Sequence, residues 1–161
     1  MTYYDFVKEY MNVDECKNNR KYSSAGHTFC WSKNNSTHAE GLYWFYEGDG
    51  FIIDVHDFYI REEVIQNSTY SMSDYVSIYS SYIVSANGEK FNPYQILTAN
   101  SLCTLDFDNI KDDFLFLLHE NCYYLAVSIG FKRELLDKHL SSINIDPESF
   151  YRALLQTNQI I

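Results

Sequence analysis

Two carboxylates and an imidazole crowd into one apolar stretch, Gly50-Phe51-Ile52-Ile53-Asp54-Val55-His56-Asp57-Phe58-Tyr59-Ile60. A strand alternates its side chains with a period of two, so Asp54 and His56 share one face and Val55 and Asp57 the other. A carboxylate beside an imidazole can bind a metal, move a proton, contact a ligand, or satisfy itself by local hydrogen bonds that pin strand register. Other chemistries have little support. The chain has no G-x-S-x-G elbow, papain-like cysteine signature, Walker A loop or G-x-G-x-x-G loop, and His27, His38, His56, His119 and His139 fall at no spacing that implies a triad. A second resource is aromatic: Tyr43, Trp44, Phe45, Tyr46, Tyr75, Tyr79 and Tyr82 provide walls that suit an apolar or amphipathic ligand, or fill a core. Alternation separates Trp44 and Tyr46 from Tyr43 and Phe45 without saying which pair faces inward.

The elements that must carry these groups read as mainly β. Tyr3, Phe6, Val7, Tyr10 and Met11 recur at three- and four-residue spacing, which predicts a short amphipathic helix before a polar loop at 12–24. Short aromatic runs at 28–31 and 42–46 read as strands, and Glu47-Gly48-Asp49-Gly50 as a hairpin turn into the Asp54 strand. Further strands are expected at 59–66, 75–85, 97–107, 113–119 and 122–131, with Asn87-Gly88 and Asn92-Pro93 marking turns. Such a series forms a sandwich or a barrel. After Gly130 the periodicity becomes helical: Lys132–Leu140 is one helix, and Asp146 caps a second that begins at Pro147 and runs through Leu155.

Composition narrows the function classes. Phe, Tyr and Trp make up 17% of the 161 residues, which favours strands over a Leu/Ala helical bundle, and the length suits one domain. The net charge of −10 opposes binding to phosphate backbones and anionic membranes. No apolar run approaches the roughly 20 residues of a spanning helix, the N-terminal stretch lacks a secretory pattern, and the four cysteines form no C-x-x-C pair. The expectation is a cytoplasmic protein with reduced thiols and no membrane partner.

The ordered segments EGDGFIIDVHDFYIREEV, YVSIYSSYIVSANGEKFNPYQILTANSL and YYLAVSIGFKRELLDKHL, followed by a last amphipathic helix, resemble the N-terminal sensor domain of AraC-type transcriptional regulators over residues 25–161. The resemblance implies a cupin-like, jelly-roll β-barrel at 25–131, an N-terminal helix and loop at 1–24, and C-terminal helices at 132–161 that form a dimer interface. It implies a small-molecule effector, no enzymatic activity and no cofactor. DNA would be bound only through a further basic domain with two helix-turn-helix units that these residues do not contain, the chain being either a sensor piece of a longer regulator or a stand-alone relative. Candidate ligand contacts are Trp44, Tyr46, His56, Phe58 and Tyr79. Candidate dimer contacts are Leu135, Leu136, Leu140, Phe150 and Leu154, which can equally pack back on the barrel. Two rivals stand beside this: a metal-dependent cupin enzyme using Asp54, His56, Glu62 and His119, whose spacing departs from the His-x-His pattern of such enzymes, and an interaction module with a filled interior.

Overall fold

The computed structural model describes residues 2–18, 21–67, 72–110 and 112–156. Helix α1 (Tyr3–Met11) precedes the strands β1 (His27–Trp31), β2 (Ala39–Glu47), β3 (Phe51–Ile60), β4 (Val64–Asn67), β5 (Ile78–Ser85), β6 (Asn87–Phe91), β7 (Gln95–Thr98), β8 (Ser101–Asp106), β9 (Leu115–Leu118) and β10 (Cys122–Phe131); helices α2 (Arg133–Ser142) and α3 (Pro147–Gln156) follow. A six-stranded antiparallel sheet, ordered β1-β2-β3-β10-β5-β8, packs on a four-stranded one, ordered β4-β9-β6-β7. The mainly β class, the N-terminal helix and the two C-terminal helices follow the sequence. The closed barrel does not: the strands form two separate sheets, a sandwich.

The long partnership of β3 with β10 organises the large sheet, with ten consecutive pairs from Phe51↔Phe131 to Ile60↔Cys122. In it Asp54 stands opposite Ser128, and His56 opposite Ala126. On the other side of β3, Tyr43 of β2 pairs with His56 and Phe45 with Asp54. Tyr43 and Phe45 are therefore the inward pair, each at 1% exposure or less, and Trp44 and Tyr46 lie on the opposite face. Small inward residues at Ala126, Ser128 and Ser81 leave volume that larger side chains would fill.

Several segment boundaries differ from the sequence reading. The 59–66 strand is broken: the amides of Arg61 and Glu62 both donate to the His38 carbonyl, and β3 passes to β4 across that bend. The 97–107 strand is two strands, β7 and β8, and the turn between them at Ala99-Asn100, with Asn100 at φ +58°, carries the chain from the small sheet to the large one. Asn87-Gly88 is not a turn. It opens β6, where a Cβ on Gly88 would strike the Leu117 carbonyl oxygen of neighbouring β9, so glycine serves close strand approach. The Gly48–Gly50 turn holds, with Gly50 at φ +82° and the Gly48 amide donating to Phe51 O.

Helix α1 belongs to the sandwich core. Thr2 and Asp5 form a reciprocal capping box at its start, and Asn12 ends it in the left-handed conformation. Tyr3 and Val7 are buried, and the Tyr3 ring meets the Phe45 ring edge-on at 4.9 Å. The Tyr3 amide donates to Glu47 Oε2, tying the helix to the end of β2. No helix among the described residues is long and apolar enough to cross a membrane, and the four cysteines are unbridged.

Candidate functional site

Between the sheets and under α1 lies a cavity of about 300 Å³. Phe6, Val7, Tyr10 and Met11 of α1 form its cover, Tyr43, His56, Tyr79, Ser81 and Tyr124 its large-sheet wall, and Phe114 and Phe116 close it from the side of β9. Polar groups at Gln66, Asn67, Ser73 and Asp112 also line it.

The polar centre is Asp54, a carboxylate with 0% exposure. Its Oδ2 accepts from the hydroxyls of Tyr43 at 2.7 Å and Tyr79 at 2.6 Å. Tyr3, arriving from α1, places its hydroxyl 2.7 Å from that of Tyr43. Four residues from α1, β2, β3 and β5 thus join in one network centred on Asp54 Oδ2. Burial, then the Asp54 charge, push the Tyr43 and Tyr79 phenols well above their ordinary value of 10.

His56 lies beside this network with its ring centroid 4.7 Å from that of Tyr43 and 5.7 Å from that of Tyr124. Its Nδ1 is 3.7 Å from Asp54 Oδ1, too far for a hydrogen bond, and both atoms are buried without a hydrogen-bond partner. The side chain nevertheless keeps 23% exposure, so the ring turns its other edge to the cavity it lines. Burial, the largest influence, lowers the imidazole below 6.5 against the opposing pull of Asp54, which favours the neutral form near pH 7.

Of the ligand contacts expected from sequence, His56 and Tyr79 line the cavity and three do not. Trp44 donates its indole N–H to the Ser23 carbonyl on the outer face, at 3.0 Å. Tyr46 is an exposed outer-face residue, and Phe58 packs edge-on against Trp31 at 5.2 Å. For Trp44 and Tyr46 the correction has one cause: the inward phase of β2 is that of Tyr43 and Phe45. The aromatic face of α1 and Tyr43 were the missing contributors. The residues proposed for a metal do not converge either: Glu62 lies by His38, whereas His119 stands 3.6 Å from both Glu63 and Glu89. Among the described residues no group of three or more His, Cys, Asp or Glu side chains is arranged to hold a metal ion.

At the other end of β10 the chain enters α2 with a single intervening residue, Lys132. Arg133 binds Asp106 and Asp108 at 2.8 and 3.1 Å and lays its guanidinium 4.5 Å over the Tyr151 ring of α3. The Tyr151 hydroxyl donates to Asp137 at 2.5 Å, so α2, α3 and the β8 end form one polar joint. Asp146 accepts from the Ser149 amide and hydroxyl, as its capping position predicts. Of the expected dimer contacts, Leu140 is 4% exposed and packs inward, Leu136, Phe150 and Leu154 are half-buried, and Leu135 is 44% exposed. Ile143 and Ile145 join Leu135 as exposed apolar side chains, although sequence reading passed over them. Residues 157–161, the end of the proposed dimer element, lie outside the described residues.

No protein-family model, curated protein or solved structure matches this chain.

Proposed function

We propose that this chain is a small-molecule-sensing domain of an AraC-type transcriptional regulator, with a dimer-forming C-terminal pair of helices and no enzymatic activity of its own. The observation that carries the sensing part is the aromatic cavity of about 300 Å³ with a buried polar network at its wall. A pocket of this kind, mostly apolar with a few convergent polar groups, is the usual form of a ligand site. It favours sensing over an interaction module with a filled interior.

The route from ligand to helices is short. An occupant would touch Tyr124 of β10, and β10 leads into α2 through Lys132 alone. It would also touch α1, whose Tyr3 hydroxyl is bound into the Asp54 network. A ligand that prefers one arrangement of α1 and α2 shifts the population towards it by its differential affinity. In a dimer, that shift alters how two attached DNA-reading domains are presented.

The test joins two measurements on the full chain: a thermal-shift screen of small aromatic and amphipathic compounds, and light scattering with and without the best stabiliser. A saturable rise in Tm with a change in association supports the reading. A chain that no compound stabilises and that stays monomeric over the accessible concentration range refutes it.

A further inference from the structure

We propose that the occupant of this cavity is an organic cation, a small amine or ammonium with an apolar body. The inference rests on the reading of the cavity as a ligand pocket and adds the charge of the ligand.

Proton direction supplies the first argument. A carboxylate only accepts hydrogen bonds, and a phenol has one proton to give. Tyr43 and Tyr79 both spend theirs on Asp54 Oδ2. In the 2.7 Å bond between Tyr3 and Tyr43, Tyr3 is therefore the donor. Three phenolic protons run towards one carboxylate, and none of the three is left for a ligand.

His56 adds to the same sign. With a neutral ring, the proton belongs on Nδ1, since that nitrogen faces Asp54 Oδ1 at 3.7 Å and two opposed lone pairs would repel. Nε2 then offers a lone pair on the cavity side. The side of the wall built by Tyr43, Tyr79 and His56 consequently accepts hydrogen bonds, and a ligand seated against it must bring the donors.

Charge balance is the second, independent argument. Asp54 is completely buried, and the only basic group within 4 Å of it among the described residues is His56. Tyrosine hydroxyls stabilise its charge without neutralising it, and Oδ1 has no hydrogen-bond partner. A buried charge is costly until it is paired. Among the described residues lining the cavity there is no Lys or Arg, and besides His56 the one ionisable side chain of charged type is the acidic Asp112. Nine of the lining side chains are Phe or Tyr, whose negative ring faces attract cations. An anion entering this space would meet the Asp112 carboxylate and the π-faces, with the Asp54 charge behind the Tyr43 and Tyr79 hydroxyls.

The experiment holds shape nearly constant and varies charge. Calorimetry on the full chain would compare 2-phenylethylammonium, 2-phenylethanol and phenylacetate, with neutral, flat indole as a test of the pocket alone. The expected order is ammonium at least tenfold tighter than alcohol, with no saturable binding of phenylacetate. Asp54→Asn should narrow the gap between ammonium and alcohol at least several-fold; the wild-type series stands alone if that variant does not fold. Equal affinities for ammonium and alcohol, or a preference for phenylacetate, would overturn the cationic ligand and leave the pocket standing. Indole binding without ammonium binding has the same meaning. If neither indole nor any of the three binds, both the ligand's charge and the pocket reading fail.

Discussion

Asp54 is the residue on which the interior depends, because three side chains orient themselves by it. Asp54→Ala would leave the Tyr43 and Tyr79 hydroxyls buried without their acceptor, at a cost on the order of 3 kcal/mol. Urea unfolding measures this directly. Tyr43→Phe and Tyr79→Phe remove one donor each, and since both bonds end on Oδ2, their double-mutant cycle should show a coupling of about 0.5–1 kcal/mol or more rather than additivity. His56 gives a pH signature. Its value in the folded chain is depressed below 6.5 by burial, so as pH falls below 6.5 the unfolded chain takes up a proton that the folded chain resists. The stability that this group contributes is present above 6.5 and is lost as pH falls through the folded value. Urea midpoints from pH 8 to pH 5 should fall less steeply in His56→Gln than in wild type. Parallel curves for the two proteins would refute a buried neutral imidazole.

At the scale of elements, α1 is both core and cover. Val7 is 1% exposed within the core that holds Phe29, Tyr43 and Phe45, and Val7→Asp would bury a charge there. Hydrogen exchange should then show α1 unprotected, and cavity ligands should lose affinity. A variant whose α1 amides stayed as protected as wild type would show that the helix does not depend on that face. The sequence made some elements plain and hid others for physical reasons. Helix α1 was legible because Tyr3, Phe6, Val7 and Tyr10 recur at helical spacing, and α3 because Asp146-Pro147 starts a helix so clearly. Strand β6 was hidden because Asn87-Gly88 has the composition of a turn, while its actual reason, close approach to Leu117, is a contact distant in sequence. The Asp54 and His56 pairing on one face followed from period two alone. Whether that face looked inward depended on the phase of β2, and four consecutive aromatic residues at 43–46 conceal phase completely.

The whole molecule carries a charge of −10, so long-range attraction favours cations and disfavours nucleic acid. Near-physiological salt should prevent retention of this chain on a polyanionic column. Association, where it occurs, is expected through the apolar side chains that α2 and its following turn leave outside. Leu135→Asp combined with Ile143→Asp, at positions 44% and 52% exposed, should convert a dimer into a monomer by light scattering with little loss of Tm. A dimer that survives both substitutions uses another surface.

The separation of the two aromatic kinds also has an optical consequence. Both tryptophans lie away from the cavity, Trp44 against the Ser23 carbonyl and Trp31 against Phe58, whereas five tyrosines line it. Emission excited at the red edge of tryptophan absorption should therefore report surroundings outside the cavity, Trp44 on the outer face and Trp31 at the core edge, and change little when the cavity is occupied. Tyrosine absorption, and energy transfer from tyrosine to tryptophan, should change with occupancy. The protein thus contains two spectral channels, one sensitive to its contents and one serving as an internal reference, and a titration read as their ratio needs no attached dye.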